Sequence, residues 1–97
     1  MKQLTYEELK RWEAEKKSFQ IIDVREKEEH LAFNIGGALI PLGEIQKNVE
    51  KLELHLPIVF YCKRGIRSQI AIQRLSKRID TANFYNLHKG ILHLMPV

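Results

Sequence analysis

The chain has one cysteine, Cys62, among 97 residues. It can form no internal disulfide, so Cys62 is either a small buried apolar residue or a reactive thiol. Long apolar runs are missing as well: none approaches the roughly 18 residues of a membrane span. Met1 to Lys10 is polar and lacks the apolar centre of a secretion signal. These absences predict a cytoplasmic protein without a membrane partner. Strong charge imbalance is lacking, since 16 basic residues face 12 acidic ones for a net charge of +4. That balance does not point to nucleic acid. The aromatic residues Tyr6, Trp12 and Phe84 read as core residues rather than base-stacking platforms. None of the four histidines, His30, His55, His88 and His93, has a metal-like spacing to Cys62. No metal is expected.

What is present fits one small globular domain over residues 1–97. Hydrophobic residues make up 44% and charged residues 29%, the proportions of a soluble protein. One stretch stands out by charge. From Cys62 to Arg78 the chain carries Lys63, Arg64, Arg67, Arg74, Lys77 and Arg78 and no carboxylate. Arg74, Lys77 and Arg78 read as a solvated helix end that complements the helix dipole.

Thr5 and Glu8 have capping-box spacing, which predicts a helix over 6–16. The β-branched run Gln20–Val24 predicts a buried strand. A short helix is expected from Arg25 to Phe33, then a Gly36-Gly37 turn and a strand at Ala38–Ile40. Leu42, Ile45, Val49 and Leu52 are spaced for an amphipathic helix over 42–54. Ile58–Tyr61 is the clearest strand, with Pro57 at its start. A loop over 62–67 then leads to a helix capped by Ser68 and running to Ile79. Asn83–Leu87 reads as the last strand. Alternation of strand and helix predicts an α/β fold with a parallel sheet covered on both faces.

Ligands of open α/β sheets bind beyond the carboxyl ends of the strands, and Cys62 directly follows the clearest one. Its loop leads into a helix N-terminus, where unpaired N–H groups and the helix dipole favour anions. Gly65 permits the curvature that gathers backbone N–H groups into a nest. Lys63, Arg64 and Arg67 add positive charge. All of this favours thiolate over thiol and marks Cys62 as a nucleophile.

The segment Cys62-Lys63-Arg64-Gly65-Ile66-Arg67-Ser68 resembles the active-site loop of the rhodanese family, whose single-domain members often read Cys-x-x-Gly-x-Arg-Ser. Ile21-Ile22-Asp23-Val24-Arg25 with Glu29 resembles that family's opening strand. Gly37-Ala38-Leu39-Ile40-Pro41 resembles its second signature, and Leu87-His88-Lys89-Gly90-Ile91 its final strand and turn. The four matches occur in the family's order. Phe33, Asn34 and Gly36 depart from the second signature, Lys89 stands where a glycine is usual, and Leu94 where a tryptophan is usual. The resemblance implies a three-layer, open, mostly parallel five-stranded sheet with helices on both faces.

It also implies a sulfurtransferase of the thiosulfate:cyanide type. Cys62 would take sulfur from a small anionic donor as a persulfide and pass it to a thiophilic acceptor, such as cyanide in vitro or a thiol or sulfur carrier in the cell. Lys63, Arg64, Gly65, Ile66, Arg67 and Ser68 would bind the donor, with the backbone N–H groups of 63–67 around the terminal sulfur. No cofactor is needed, and a monomer or weak homodimer is expected. Asp23 and Arg25 read as structural support. Two other readings stand beside this one. The fold can serve as a non-catalytic interaction module. Cysteine-dependent phosphatases of similar fold place five residues between cysteine and arginine, where this chain has the four residues Lys63 to Ile66.

Overall fold

The computed structural model describes residues 1–96. Its chain runs through β1 (Lys2–Leu4), α1 (Tyr6–Ala14), β2 (Gln20–Asp23), α2 (Lys27–Ala32), β3 (Ala38–Leu39), a 3₁₀ segment (Leu42–Lys51), β4 (Ile58–Tyr61), α3 (Ile66–Leu75), β5 (Phe84–Leu87) and a short 3₁₀ turn (Leu92–Leu94). The five strands form one sheet in the order β1-β5-β4-β2-β3. All four pairings are parallel.

The central strand β4 is buried along its whole length, because both faces of the sheet are covered. Its side chains alternate between two cores. Ile58, Phe60 and, just beyond the strand, Cys62 join Ile45, Ala71, Ile72 and Leu75 on the face covered by α3 and the 3₁₀ segment. Val59 and Tyr61 join Leu9, Leu87 and Ile91 on the face covered by α1. Period-two alternation thus directs Cys62 to the α3 side. Full burial of side chains such as Ile58 and Phe60 contributes about 1.5–3 kcal/mol each.

β1 is the strand that the patterning of residues 1–10 does not disclose. It has three residues, of which only Leu4 is buried, and it gains its place by pairing with β5 at the sheet edge. α1 starts as its capping box dictates: Thr5 Oγ1 accepts the Glu8 N–H at 3.1 Å, and Glu8 Oε1 accepts the Thr5 N–H at 3.0 Å. The helix expected over 42–54 is a 3₁₀ segment, kinked by non-helical torsions at Asn48 (φ -123°, ψ 31°). Asn48 Nδ2 donates to the Glu44 carbonyl at 2.8 Å. An apolar spacing of 3, 4 and 3 fits either helix type, so periodicity could not separate them.

After β2 the chain moves outward to β3. After β4 it moves the opposite way, to β5. The carboxyl ends of β2 and β4 therefore bound the crevice where strand order reverses, the usual ligand position in such sheets. Asp23 pairs with Tyr61 in register at that end. No helix among the described residues is long and apolar enough to cross a membrane.

Candidate active site

Cys62 follows the last residue of β4, and the turn behind it is closed by Gly65. Gly65 lies at φ 86°, in the left-handed region where a side chain is strained. A Cβ there would also press on Lys89 N at 3.2 Å and on Leu87 O at 3.3 Å. Gly65, not Ser68, is the N-cap of α3. The helix begins at Ile66, so Ser68 falls inside its first turn, and its side chain is wholly buried. The reason is that the left-handed turn at Gly65 already starts the helix and frees the serine hydroxyl to face the core.

Two backbone donors and a serine hydroxyl surround the sulfur. The Gly65 N–H donates to Cys62 Sγ at 3.1 Å and the Ser68 N–H at 3.4 Å. Ser68 Oγ lies 3.4 Å from the same atom. Ser68 Oγ–H in turn donates to Asn86 Oδ1 of β5, and Asn86 Nδ2 donates to Gln3 Oε1 at 2.9 Å. Asn86 is fully buried. Its signal in the sequence is an asparagine within an otherwise apolar strand, which calls for a buried polar partner.

Cys62, Lys63, Arg64, Ile66 and Arg67 line a cavity of about 220 Å³. Among the described residues, the backbone N–H groups of Lys63, Arg64, Ile66 and Arg67 make no hydrogen bond to the protein. The same four residues thus supply the cavity wall and four uncommitted donors. Exposed Arg64 and half-buried Lys63 form no ion pair among the described residues. Arg67 differs. Its guanidinium is held by the Glu29 carboxylate of α2, with Nη1–Oε1 at 2.7 Å and Nη2–Oε2 at 2.9 Å. The Arg67 hydrogen bonds hold the Glu29 carboxyl well below the usual range, at about 2.

Asp23 and Arg25 form a buried pair beneath this wall. Asp23 Oδ1 accepts the Arg25 backbone N–H and its Nε, both at 3.0 Å, and Oδ2 accepts Nη2 at 2.9 Å. Arg25 Nη2 also donates to the Phe33 carbonyl at 2.6 Å, and His30 Nδ1 lies 2.8 Å from Asp23 Oδ2. The Arg25 guanidinium faces the Tyr61 ring at 5.6 Å. Tyr61 Oη donates to the Gly36 carbonyl at 3.0 Å and accepts the Ile35 N–H at 3.3 Å. Burial pushes the Tyr61 hydroxyl up to about 12, so it stays protonated. These bonds tie the segment between α2 and β3, and through Arg25 the end of β2, to the end of β4.

Sequence and structure comparisons agree with this architecture. A rhodanese-like domain model matches residues 5–93. The chain is 39% identical over 62 residues to a Bacillus subtilis protein named "Putative sulfur carrier protein YrkF". It is 33% identical over 69 residues to the thiosulfate sulfurtransferase GlpE of Coxiella burnetii. The matched segments cover 63% and 69% of this chain, but 34% and 64% of those two proteins. The chain therefore spans less than two thirds of either relative. A crystal structure of a rhodanese-like domain protein from Staphylococcus aureus superposes with a TM-score of 0.80 at 31% identity, covering 94% of this chain and 88% of that one. With the match running from the cap of α1 to the last 3₁₀ turn, the chain belongs to the rhodanese-like domain family.

Proposed function

We propose that the protein is a sulfurtransferase in which Cys62 carries sulfur as a persulfide. One observation carries the reading: the residues lining the small cavity at Cys62 supply four backbone donors that no group among the described residues uses. A cavity of about 220 Å³ with such a wall suits a small anion and the terminal sulfur of a persulfide. The Cys62 thiolate would attack the outer sulfur of an anionic sulfane donor such as thiosulfate. The new S–S bond forms as the donor's S–S bond breaks, and sulfite leaves with the electron pair. An acceptor, cyanide in vitro or a thiol or sulfur carrier in the cell, then attacks the outer sulfur and restores the Cys62 thiolate. Lys63 and Arg64, which lack ion-pair partners among the described residues, are the cations available to draw in the donor. The names of the relatives, a thiosulfate sulfurtransferase and a sulfur carrier, support the same chemistry.

The phosphatase reading would need a free guanidinium to clamp a phosphate. Arg67 instead holds Glu29 through both of its terminal nitrogens. A pure interaction module would have no need for two backbone N–H groups aimed at one sulfur.

The test is thiocyanate formation from thiosulfate and cyanide by the wild type and Cys62→Ser, with the mass of the thiosulfate-treated wild type read in parallel. Activity lost in the variant, with a mass gain of one sulfur in the wild type, is the expected result. A mass gain without turnover assigns a sulfur carrier with another acceptor. Neither turnover nor adduct in folded protein overturns the reading.

A further inference from the structure

The chain of contacts behind the cysteine has a property that its individual bonds do not. Cys62 Sγ, Ser68 Oγ, the Asn86 carboxamide and the Gln3 carboxamide are linked in series from the core to the surface. Ser68 and Asn86 are wholly buried and Cys62 is 1% exposed, so no water replaces a lost partner there. Gln3 is exposed. A serine hydroxyl carries one hydrogen, and here it points to Asn86 Oδ1. With that hydrogen committed, the Sγ–Oγ contact is a bond only if the sulfur donates. The arrangement seen is thus the one that suits a protonated Cys62.

When the S–H bond ionises, the electron pair stays on sulfur and the proton passes to water. The sulfur is then an acceptor only, facing a serine lone pair at 3.4 Å. Repulsion is relieved if the Ser68 hydrogen turns to the sulfur. That in turn leaves Asn86 Oδ1 facing the serine oxygen with no hydrogen between them. Both conflicts end if the two carboxamides exchange their oxygen and nitrogen ends. Asn86 Nδ2 then donates to Ser68, Asn86 Oδ1 accepts from Gln3 Nε2, and every buried group keeps a partner. We infer that Gln3, Asn86 and Ser68 form a relay whose direction reverses with the charge on Cys62. Asn86 and Gln3 are then positioning residues that help set the thiolate. The same direction serves the persulfide, whose inner sulfur also has no hydrogen to give. This rests on Cys62 working as a thiolate, as in the function proposed above, but not on any particular donor or acceptor.

Gln3→Glu tests it at an exposed position with little change of shape. A carboxylate only accepts, so it pins Asn86 Nδ2 outward and Oδ1 towards Ser68, the direction that suits the thiol. The readout is the ultraviolet absorbance of the single thiolate against pH, which needs no turnover. Gln3→Glu is expected to raise the midpoint by about half a unit, roughly a threefold loss of thiolate near the midpoint. In a Ser68→Ala background the relay is cut, and the same substitution should have no further effect. High salt should not abolish the shift, since a pinned hydrogen bond is not screened as a distant charge is. An equal shift in both backgrounds, a shift erased by salt, or none in the wild-type background overturns the relay. Should circular dichroism show Ser68→Ala unfolded, the salt series decides alone. A shift as expected in a protein that takes no sulfur from thiosulfate would leave the relay standing and sink the proposed reaction.

Discussion

Glu29 holds Arg67 through two parallel bonds of 2.7 and 2.9 Å that bridge 38 positions of sequence. Glu29 Oε1 also accepts the Glu26 N–H at 3.1 Å, the bond that opens α2. One carboxylate therefore starts one helix and fixes the first turn of another beside the cysteine loop.

This pair has a pH signature. The folded carboxyl lies at about 2, against 4.5 unperturbed, because of its bonds to Arg67. A lowered carboxyl contributes stability in full above pH 4.5 and loses it as pH falls from there through about 2. Taken whole, such a shift would be worth ~3 kcal/mol. The side chains are 35% and 30% exposed, so screening brings the expected value to about 1 kcal/mol. Glu29→Gln should destabilise by that amount at neutral pH and flatten the acid limb of the stability curve. Urea melts of both proteins over this pH range measure it. Parallel curves would show that the pair contributes nothing.

Much of this arrangement can be read from the sequence, for identifiable reasons. Ile58–Tyr61 announces itself because a central strand covered on both faces must be apolar throughout. Cys62 follows from the loop that succeeds it. β1 does not announce itself, since three residues at an edge with one buried side chain leave no periodic trace. The partner of Arg67 was hidden in another way. The arginine looks like a free cation in a basic loop, and only the folded chain, which sets Glu29 of α2 beside the first turn of α3, shows the carboxylate that takes it up. Ser68 looked like a cap because serine commonly is one. A left-handed glycine three residues earlier claims that role through its torsion, which composition does not encode.

The turn after β5 makes a second prediction. Lys89 and Gly90 both lie in the left-handed region, at φ 65° and 63°. A side-chain residue pays about 1 kcal/mol for that conformation. Lys89→Gly should therefore stabilise by up to about 1 kcal/mol, less the added freedom of the unfolded chain. That corresponds to a melting point several degrees higher. Gly90→Ala should do the reverse and more strongly, because its Cβ would collide with the carbonyl oxygens of Cys62 and Lys63. Those carbonyls accept the Ile91 N–H at 3.1 and 3.0 Å, so the collision would displace the cysteine loop itself. Thermal melts of the two variants should move in opposite directions. Movement in the same direction would refute the torsional account.

The buried Asp23–Arg25 pair separates support from chemistry. Both side chains are essentially unexposed, and Asp23 supplies the carboxylate that balances the Arg25 guanidinium. Asp23→Asn leaves that cation buried without its counter-charge, at an expected cost of about 3–5 kcal/mol. The double variant Asp23→Leu with Arg25→Met removes both charges and should recover a large part of the loss, because neither partner is left uncompensated. Stability alone does not distinguish a positioning role from a chemical one, so the decisive measurement pairs it with turnover. If Asp23 only ties the β2 loop to the end of β4, the double variant, where folded, should keep its thiocyanate-forming kcat within a few-fold of wild type. A double variant that regains stability yet loses kcat as completely as Cys62→Ser would mean that Asp23 takes part in the reaction itself.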